Sequence, residues 1–191
     1  DRAGGIDRVL EDTFVLITSD HGQTEILSED ERAAIRLHET LASFRQASLG
    51  KPWRDRDQIM ICPNMRAAQI YLHEMQPSLV QQVASAVLTD PRVDHAIWRT
   101  PDTRPSGKGY TAATVNGSIE FWKGDDGSDR ARDAFGTTWS WRGDLTVVDA
   151  TVEDGRLVWK DFPNAFERLA GVLEHQQSGT IWVTAKPGCE F

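Results

Sequence analysis

Hydrophobic residues occur along this chain either in short continuous runs or at helical spacing, and these two patterns predict its strands and helices. Residues 13–17 form a continuous apolar run rich in β-branched side chains, which predicts a strand buried on both faces of a parallel sheet. Ile6, Val9 and Leu10 precede it at helical spacing and predict the last turns of a helix. Apolar residues three or four positions apart then predict one helix over residues 28–44.

The middle of the chain has short strand patterns separated by turn residues. Three strands are predicted, with a helix between the second and the third: residues 58–62, 67–72 and 93–98, and a helix from Pro77 to Asp90. Asn116-Gly117 and Asp154-Gly155 predict two hairpin turns. Residues 100–109 contain two prolines and two glycines and predict an exposed loop.

The last part of the chain repeats the helix and strand order of the first part. Asn164 with Glu167 predicts a helix N-terminus, and residues 180–184 predict a second apolar strand. We therefore expect an α/β fold in which the Phe14 and Ile181 strands share one sheet.

Three segments follow from this pattern. Residues 1–57 are predicted to be the C-terminal part of an α/β core, residues 58–162 an inserted α+β subdomain, and residues 163–191 the return to the core. Because the first residues look like the end of a helix, we expect further parts of the core sheet upstream of residue 1.

The composition of the chain argues against some classes of binding partner. The 191 residues have a net charge of −8, which argues against a nucleic-acid surface or an anionic membrane surface. No apolar run is long enough to span a bilayer. Cys62 and Cys189 are too few for a disulfide framework and leave the redox compartment undecided.

Candidate chemistry lies where the first apolar run ends. Asp20 and His21 are adjacent, and neighbouring side chains in a regular strand point to opposite faces. Gly22 allows the backbone to turn there, so that both side chains can face one ligand at the carboxyl end of the strand. A carboxylate beside an imidazole suits a zinc-type ion. The alternative is that Asp20 caps a turn and His21 packs locally.

The string VLITSDHG at residues 15–22 resembles the strand and SDHG signature of the alkaline phosphatase superfamily, in particular its type I phosphodiesterase and nucleotide pyrophosphatase branch. Residues 65–72 resemble another segment of that branch less distinctively. The resemblance implies an alkaline-phosphatase-like sheet with helices, and a small phosphate-ester or nucleotide substrate. It also implies that Asp20 and His21 bind one of two catalytic ions, usually zinc, with manganese as an alternative.

The chain differs from the family because most residues of the family's catalytic site cannot be assigned in it. The family site also needs a Ser or Thr nucleophile with a nearby Asp, an upstream Asp and His, and a late His, none of which can be assigned here. No nucleophile role transfers to Thr18, Ser19 or Thr24. We therefore expect a fragment of a metal-dependent phosphoric-ester hydrolase that is inactive alone. The alternatives are a phosphomutase or sulfatase relative, or a non-catalytic binding or regulatory module with a relic SDHG.

For the other candidate side chains, a structural role is favoured over a binding role. Arg66 is predicted to be a solvated loop arginine rather than an anion contact. Trp139 and Trp141 are predicted to cover a small sheet rather than stack on a nucleotide base. Three histidines are predicted to serve packing rather than metal binding: His38 on a half-buried helical face, His73 and His95.

Overall fold

One large mixed sheet organises the part of the chain that the computed structural model describes, residues 4–19, 22, 24–28, 30–104 and 107–191. The α-helices are α1 (Ile6–Asp12), α2 (Asp30–Ala33), α3 (Leu37–Thr40), α4 (Pro77–Val87) and α5 (Ala165–Glu174), and Leu145–Val148 form a 3-10 helix. The strands are β1 (Gln46–Ala47), β2 (Ile59–Asn64), β3 (Ala67–Leu72), β4 (Val93–Arg104), β5 (Gly107–Thr114), β6 (Gly117–Lys123), β7 (Asp129–Arg132), β8 (Thr138–Gly143), β9 (Ala150–Glu153), β10 (Arg156–Trp159) and β11 (Ile181–Ala185).

The fold class is α/β, as predicted, because one mixed sheet of eleven strands packs with helices. The strand order is β1-β2-β3-β11-β4-β5-β6-β8-β7-β10-β9. Most neighbours are antiparallel, and β1 with β2 is a parallel pair. No helix in the described part of the chain has the length and apolar character that a bilayer span requires.

The last strand of the chain lies inside this order, between β3 and β4. β11 is antiparallel to both neighbours, so that Val183 stands opposite Ala68 of β3 and Ala96 of β4. Its apolar residues alternate with partly exposed ones, and Ile181 and Val183 are fully buried. Residues 58–162 and 163–191 therefore contribute to one sheet, and the domain boundaries at 57 and 162 stay a prediction.

Two hydrophobic cores lie on opposite faces of the central strands. On one face, α4 presents a buried stripe against β2, β3, β11 and β4; it consists of Leu79, Val80, Val83, Ala84 and Val87. On the other face, α5 and the 3-10 helix pack on β5, β6, β8 and β10, with Phe166 stacked on Phe121 at 4.2 Å between ring centroids. Burying each such large side chain stabilises the fold by roughly 1.5–3 kcal/mol.

The strand predicted at residues 13–17 does not form, so the prediction that it shares a sheet with β11 is wrong. Thr13 leaves α1 with extended backbone, and the segment after it has no strand partner among the described residues. Phe14 is 93% exposed and Ile17 is 90% exposed. A β-branched run favours extended backbone, but it becomes a strand only where a neighbouring strand can pair with it.

The single helix predicted over residues 28–44 is divided into α2 and α3. Between them, Ala34 forms a parallel bridge with Glu190, and the Ile35 amide donates to the Glu190 carbonyl at 2.7 Å. This long-range pairing interrupts the helix, and α3 therefore has its own rotational phase. As a result the His38 side chain is 69% exposed, which corrects its predicted half-buried position.

The prediction of an exposed loop at residues 100–109 is also wrong, because the described residues of this range form strands. β4 continues to Arg104 and pairs with β5, so that Thr100 stands opposite Gly109. The Thr100 and Thr111 hydroxyls share a hydrogen bond of 2.7 Å across this pair. Proline at position 101 is tolerated because the two strands lose their regular register after Thr100.

Both predicted hairpin turns are confirmed. Asn116 lies in the β5–β6 turn, while Asp154 and Gly155 join β9 to β10 with φ of 49° and 73°. The second pair has the positive φ values that the tightest hairpin turns require. The helix N-terminus predicted at Asn164 is confirmed, since α5 begins at Ala165, but Asn164 has φ of 52° and its side chain makes no capping hydrogen bond.

Candidate functional site

The predicted metal pair, Asp20 and His21, lies outside the described residues. Among the residues that are described, no group of three or more His, Cys, Asp or Glu side chains could hold a metal ion. Zinc sites in proteins use three or four protein ligands.

A different site is visible on the sheet face beneath α5, where a cleft of about 460 Å³ opens to solvent. Its floor consists of two rows across β4 and β11. In one row His95 stands opposite Thr184, and in the other Ile97 stands opposite Trp182. The floor is therefore polar at one end and apolar at the other.

A β-bulge places two neighbouring polar side chains at the polar end. Thr184 pairs with His95 and Ala185 pairs with Val93, so Asp94 is an extra residue in β4. Val93 and Ala96 both reach the α4 core, while Asp94 and His95 between them both line the cleft. A bulge re-aims side chains in this way, whereas a regular strand would separate the two residues onto opposite faces.

His95 is held by the protein through both ring nitrogens. Its Nε2 lies 2.7 Å from the Val147 carbonyl oxygen, which can only accept, so Nε2 is the protonated nitrogen of the neutral ring. Its Nδ1 lies 3.2 Å from the Thr184 hydroxyl and 3.4 Å from Asp94 Oδ2. Burial favours the neutral ring, but the hydrogen bond and charge of Asp94 together with the Val147 carbonyl outweigh it and raise the pKa of His95.

Asp94 keeps its negative charge although it is partly buried. Burial alone would raise its pKa, but the hydrogen bond to His95 and the charges of His95, Lys186 and Arg66 lower the pKa of this carboxyl overall. Its side chain is 23% exposed and faces the cleft. The polar end of the cleft therefore has a fixed carboxylate with cationic neighbours.

Arg66 is a built part of this site, which corrects its prediction as a solvated loop arginine. The Ala185 amide donates to the Arg66 carbonyl at 2.9 Å, and Arg66 Nη2 donates to the Ala185 carbonyl at 2.9 Å. These two bonds fasten the β2–β3 turn to the end of β11. Arg66 Nε is buried and has no hydrogen-bond partner among the described residues. The contact joins residues 119 positions apart, which no local pattern could reveal.

The roof of the cleft comes from α5 and the residues before it. One face of α5 points toward the sheet and lines the cleft with Ala165, Arg168, Leu169 and Val172. Phe162 lies edge-on to His95 with ring centroids 5.2 Å apart. The Arg168 side chain is exposed and makes no hydrogen bond or ion pair with the described residues.

This arrangement is suited to binding rather than to proton transfer. Cavities of this size with apolar walls and a few convergent polar groups are typical small-molecule sites. His95 is not placed as a general base, because both ring nitrogens are occupied by protein groups. From the sequence, Arg66 is predicted to be solvated and His95 to be structural, and neither Asp94 nor Arg168 is singled out. The Asp94-His95 pair was the only local signal, and strand alternation would have argued against it.

The remaining predicted side chains have partners inside the protein. His73 stacks on Trp53 with ring centroids 4.9 Å apart. Trp139 and Trp141 are 0% and 7% exposed on β8 and both contact Phe166, which confirms their predicted packing role.

Comparison with known proteins does not assign this chain to a family. No protein-family model matches it, and neither curated proteins nor solved structures give a significant match. The functional argument therefore depends on the chain's own residues.

Proposed function

We propose that this chain is the SDHG-bearing part of a metal-dependent phosphoric-ester hydrolase, in which Asp20 and His21 bind one of two zinc or manganese ions. The observation that supports it is the string at residues 15–22, with its apolar run followed directly by Ser-Asp-His-Gly. Such ions polarise phosphoryl oxygens and lower the pKa of bound water. The substrate class would be a small phosphate ester, most simply a phosphodiester or nucleotide.

The exposed apolar segment before this motif is compatible with the proposal. Residues 14–17 are apolar and more than half exposed, and no described strand pairs with them. In an intact hydrolase, neighbouring strands from the rest of the catalytic domain would cover such a segment. The same parts of the enzyme would supply the nucleophile and the other metal ligands.

The first experiment measures hydrolysis of bis(4-nitrophenyl) phosphate by the purified 191-residue chain, with zinc or manganese added. We expect no turnover above the buffer rate, because two ligands leave half or more of a zinc shell to water and no nucleophile is positioned. The Asp20→Ala variant is the control. Metal-dependent turnover that disappears in this variant would show that residues of this chain complete a catalytic site.

The second experiment uses the chain extended by its neighbouring coding sequence on both sides. We expect metal-dependent hydrolysis that is largely lost in Asp20→Ala and in His21→Ala, while Ser19→Ala keeps its activity because no nucleophile role is assigned to Ser19. An extended, folded protein without metal-dependent turnover would contradict the proposal. It would instead favour a binding or regulatory module with a relic SDHG.

A further inference from the structure

We propose that the cleft between α5 and the β4–β11 floor binds a small organic anion with an apolar body. The inference is argued from described residues between Asn64 and Ala185 and does not depend on the hydrolase proposal. It combines a cavity of about 460 Å³, two arginines and a wall of apolar side chains. The structure determines the charge, the shape and the orientation of the ligand that would fit.

The charge of the ligand follows from the ionic groups that line the cleft. Arg66 and Arg168 are positive and Asp94 is negative, so these groups leave one net positive charge when the His95 ring is neutral and two when it is protonated. The lining is therefore cationic in either state of His95. An anionic group would balance that charge.

Two guanidinium groups border the place where that anionic group would lie. Arg66 lines the cleft and is held in position by its bond to the Ala185 carbonyl. A guanidinium fixed in this way attracts a carboxylate or phosphate group through its charge. Arg168 reaches the same cleft from the opposite wall with its guanidinium uncommitted within the described chain.

The apolar body of the ligand has its own surface. Ile97 and Trp182 form the floor at the end away from His95, and Leu169 and Val172 of α5 face them. Trp182 is held in position because its indole Nε1 donates to the Ser178 hydroxyl at 2.6 Å. A ring or a short alkyl chain lying between these walls would place its anionic end toward Arg66 and Arg168.

The test uses a matched pair of ligands, 3-phenylpropanoate and its neutral analogue 3-phenylpropanamide, in ligand-observed NMR titrations with the full chain. We expect saturable binding of the acid and about tenfold weaker binding of the amide, as is typical for loss of a charge-assisted hydrogen bond. A third arm with 3-phenylpropyl phosphate distinguishes a carboxylate from a phosphate ligand, and preference for either anion over the amide supports the site. Equal binding of acid and amide, or no saturable binding of any probe, would overturn it.

Variants locate the binding within the protein. Arg168→Gln should weaken binding of 3-phenylpropanoate about tenfold, and it should leave the fold intact because the side chain is exposed. Arg156→Gln, an exposed arginine of β10 outside the cleft, is the matched control. Val172→Asp tests the apolar wall from an exposed position and should also weaken binding. An equal effect of Arg156→Gln, or no effect of Arg168→Gln and Val172→Asp, would contradict the proposed location.

One further variant separates this proposal from the proposed function. Asp20→Ala should leave the affinity for 3-phenylpropanoate unchanged, because the proposal places the ligand against Arg66, Arg168 and the apolar walls of the cleft. Failure of the hydrolysis experiments therefore leaves this inference standing, and failure of the titrations leaves the hydrolase proposal standing.

Discussion

At the scale of single residues, His95 connects three parts of the molecule through one ring. Its Nε2 donates to Val147 of the 3-10 helix, and its Nδ1 lies beside Thr184 of β11. Its strand neighbour Asp94 stands at the bulge, close enough to bind the protonated ring at 3.4 Å. Protonation of His95 therefore strengthens a contact that already exists in the folded protein.

The pH dependence of stability follows from that contact. Because the pKa of His95 is raised in the folded protein, its extra stabilisation is fully present below the ordinary histidine value near 6.5 and is lost as the pH rises through the folded pKa. We expect the difference in unfolding free energy between the wild type and His95→Gln to be larger at pH 5.5 than at pH 8.5. Urea unfolding at both pH values measures it.

Between pH 5.5 and 8.5, the change in stability comes from His95 and not from its partner Asp94. The pKa of Asp94 is lowered, so the stabilisation from its carboxylate is present above its ordinary value and is lost only in stronger acid. His38→Gln on α3 is the control, because that side chain is exposed. A pH dependence of the same size in His38→Gln would contradict the assignment to His95.

At the scale of elements, the sequence predicts those helices and turns that depend on residues close together in the chain. The helix from Pro77 and the Asp154-Gly155 hairpin are correct because an apolar stripe and a positive-φ pair are local signals. The divided helix at Ala34 and the unpaired segment at Phe14 are missed because distant partners decide them. The candidate cleft is missed for the same reason, since Arg66, Asp94 and Arg168 converge only in the folded chain.

Two glycine positions, one in α5 and one just after it, differ in the space around them and therefore test the packing of this region. Gly171 lies inside α5, and an added Cβ would meet no atom within 4 Å. Gly171→Ala should therefore stabilise the protein by about 0.5–1 kcal/mol, since alanine loses less backbone entropy on folding. Thermal unfolding should shift upward by about 1–4 °C.

Gly179 provides the opposite case just beyond the same helix. There an added Cβ would lie 2.8 Å from the Gln69 Cβ and 3.2 Å from the Ile70 amide nitrogen. Gly179→Ala should destabilise the protein by about 1–3 kcal/mol, because the backbone of β3 would have to move. Stabilisation by both substitutions, or by neither, would show that the α5 to β3 region is packed differently.

At the scale of the whole molecule, β11 joins the two sides of the sheet. Without it, β3 and β4 would both become unpaired edges, and the Ile181 and Val183 contacts to the α4 core would be lost. Burial of two such side chains contributes about 3–6 kcal/mol, a large part of the 5–15 kcal/mol that stabilises a typical domain.

Two truncations of similar length test this arrangement. A chain ending at residue 178 should show no cooperative thermal transition and should aggregate, because it exposes two apolar strand edges. A chain lacking residues 1–12 should unfold within about 3 °C of the wild type, since the described residues of α1 are mostly exposed. A cooperative transition in the first chain, or its loss in the second, would contradict the central role of β11.

The internal position of the last strand also has a consequence for synthesis on the ribosome. About 110 residues separate the end of β3 from the start of β11, and at about 5–20 residues per second their translation takes roughly 5–20 s. During that time β3 lacks its neighbour on that side, and its open edge can pair with a wrong strand. A premature stop codon or a stalled ribosome just before β11 would therefore produce a chain for degradation rather than a shortened protein.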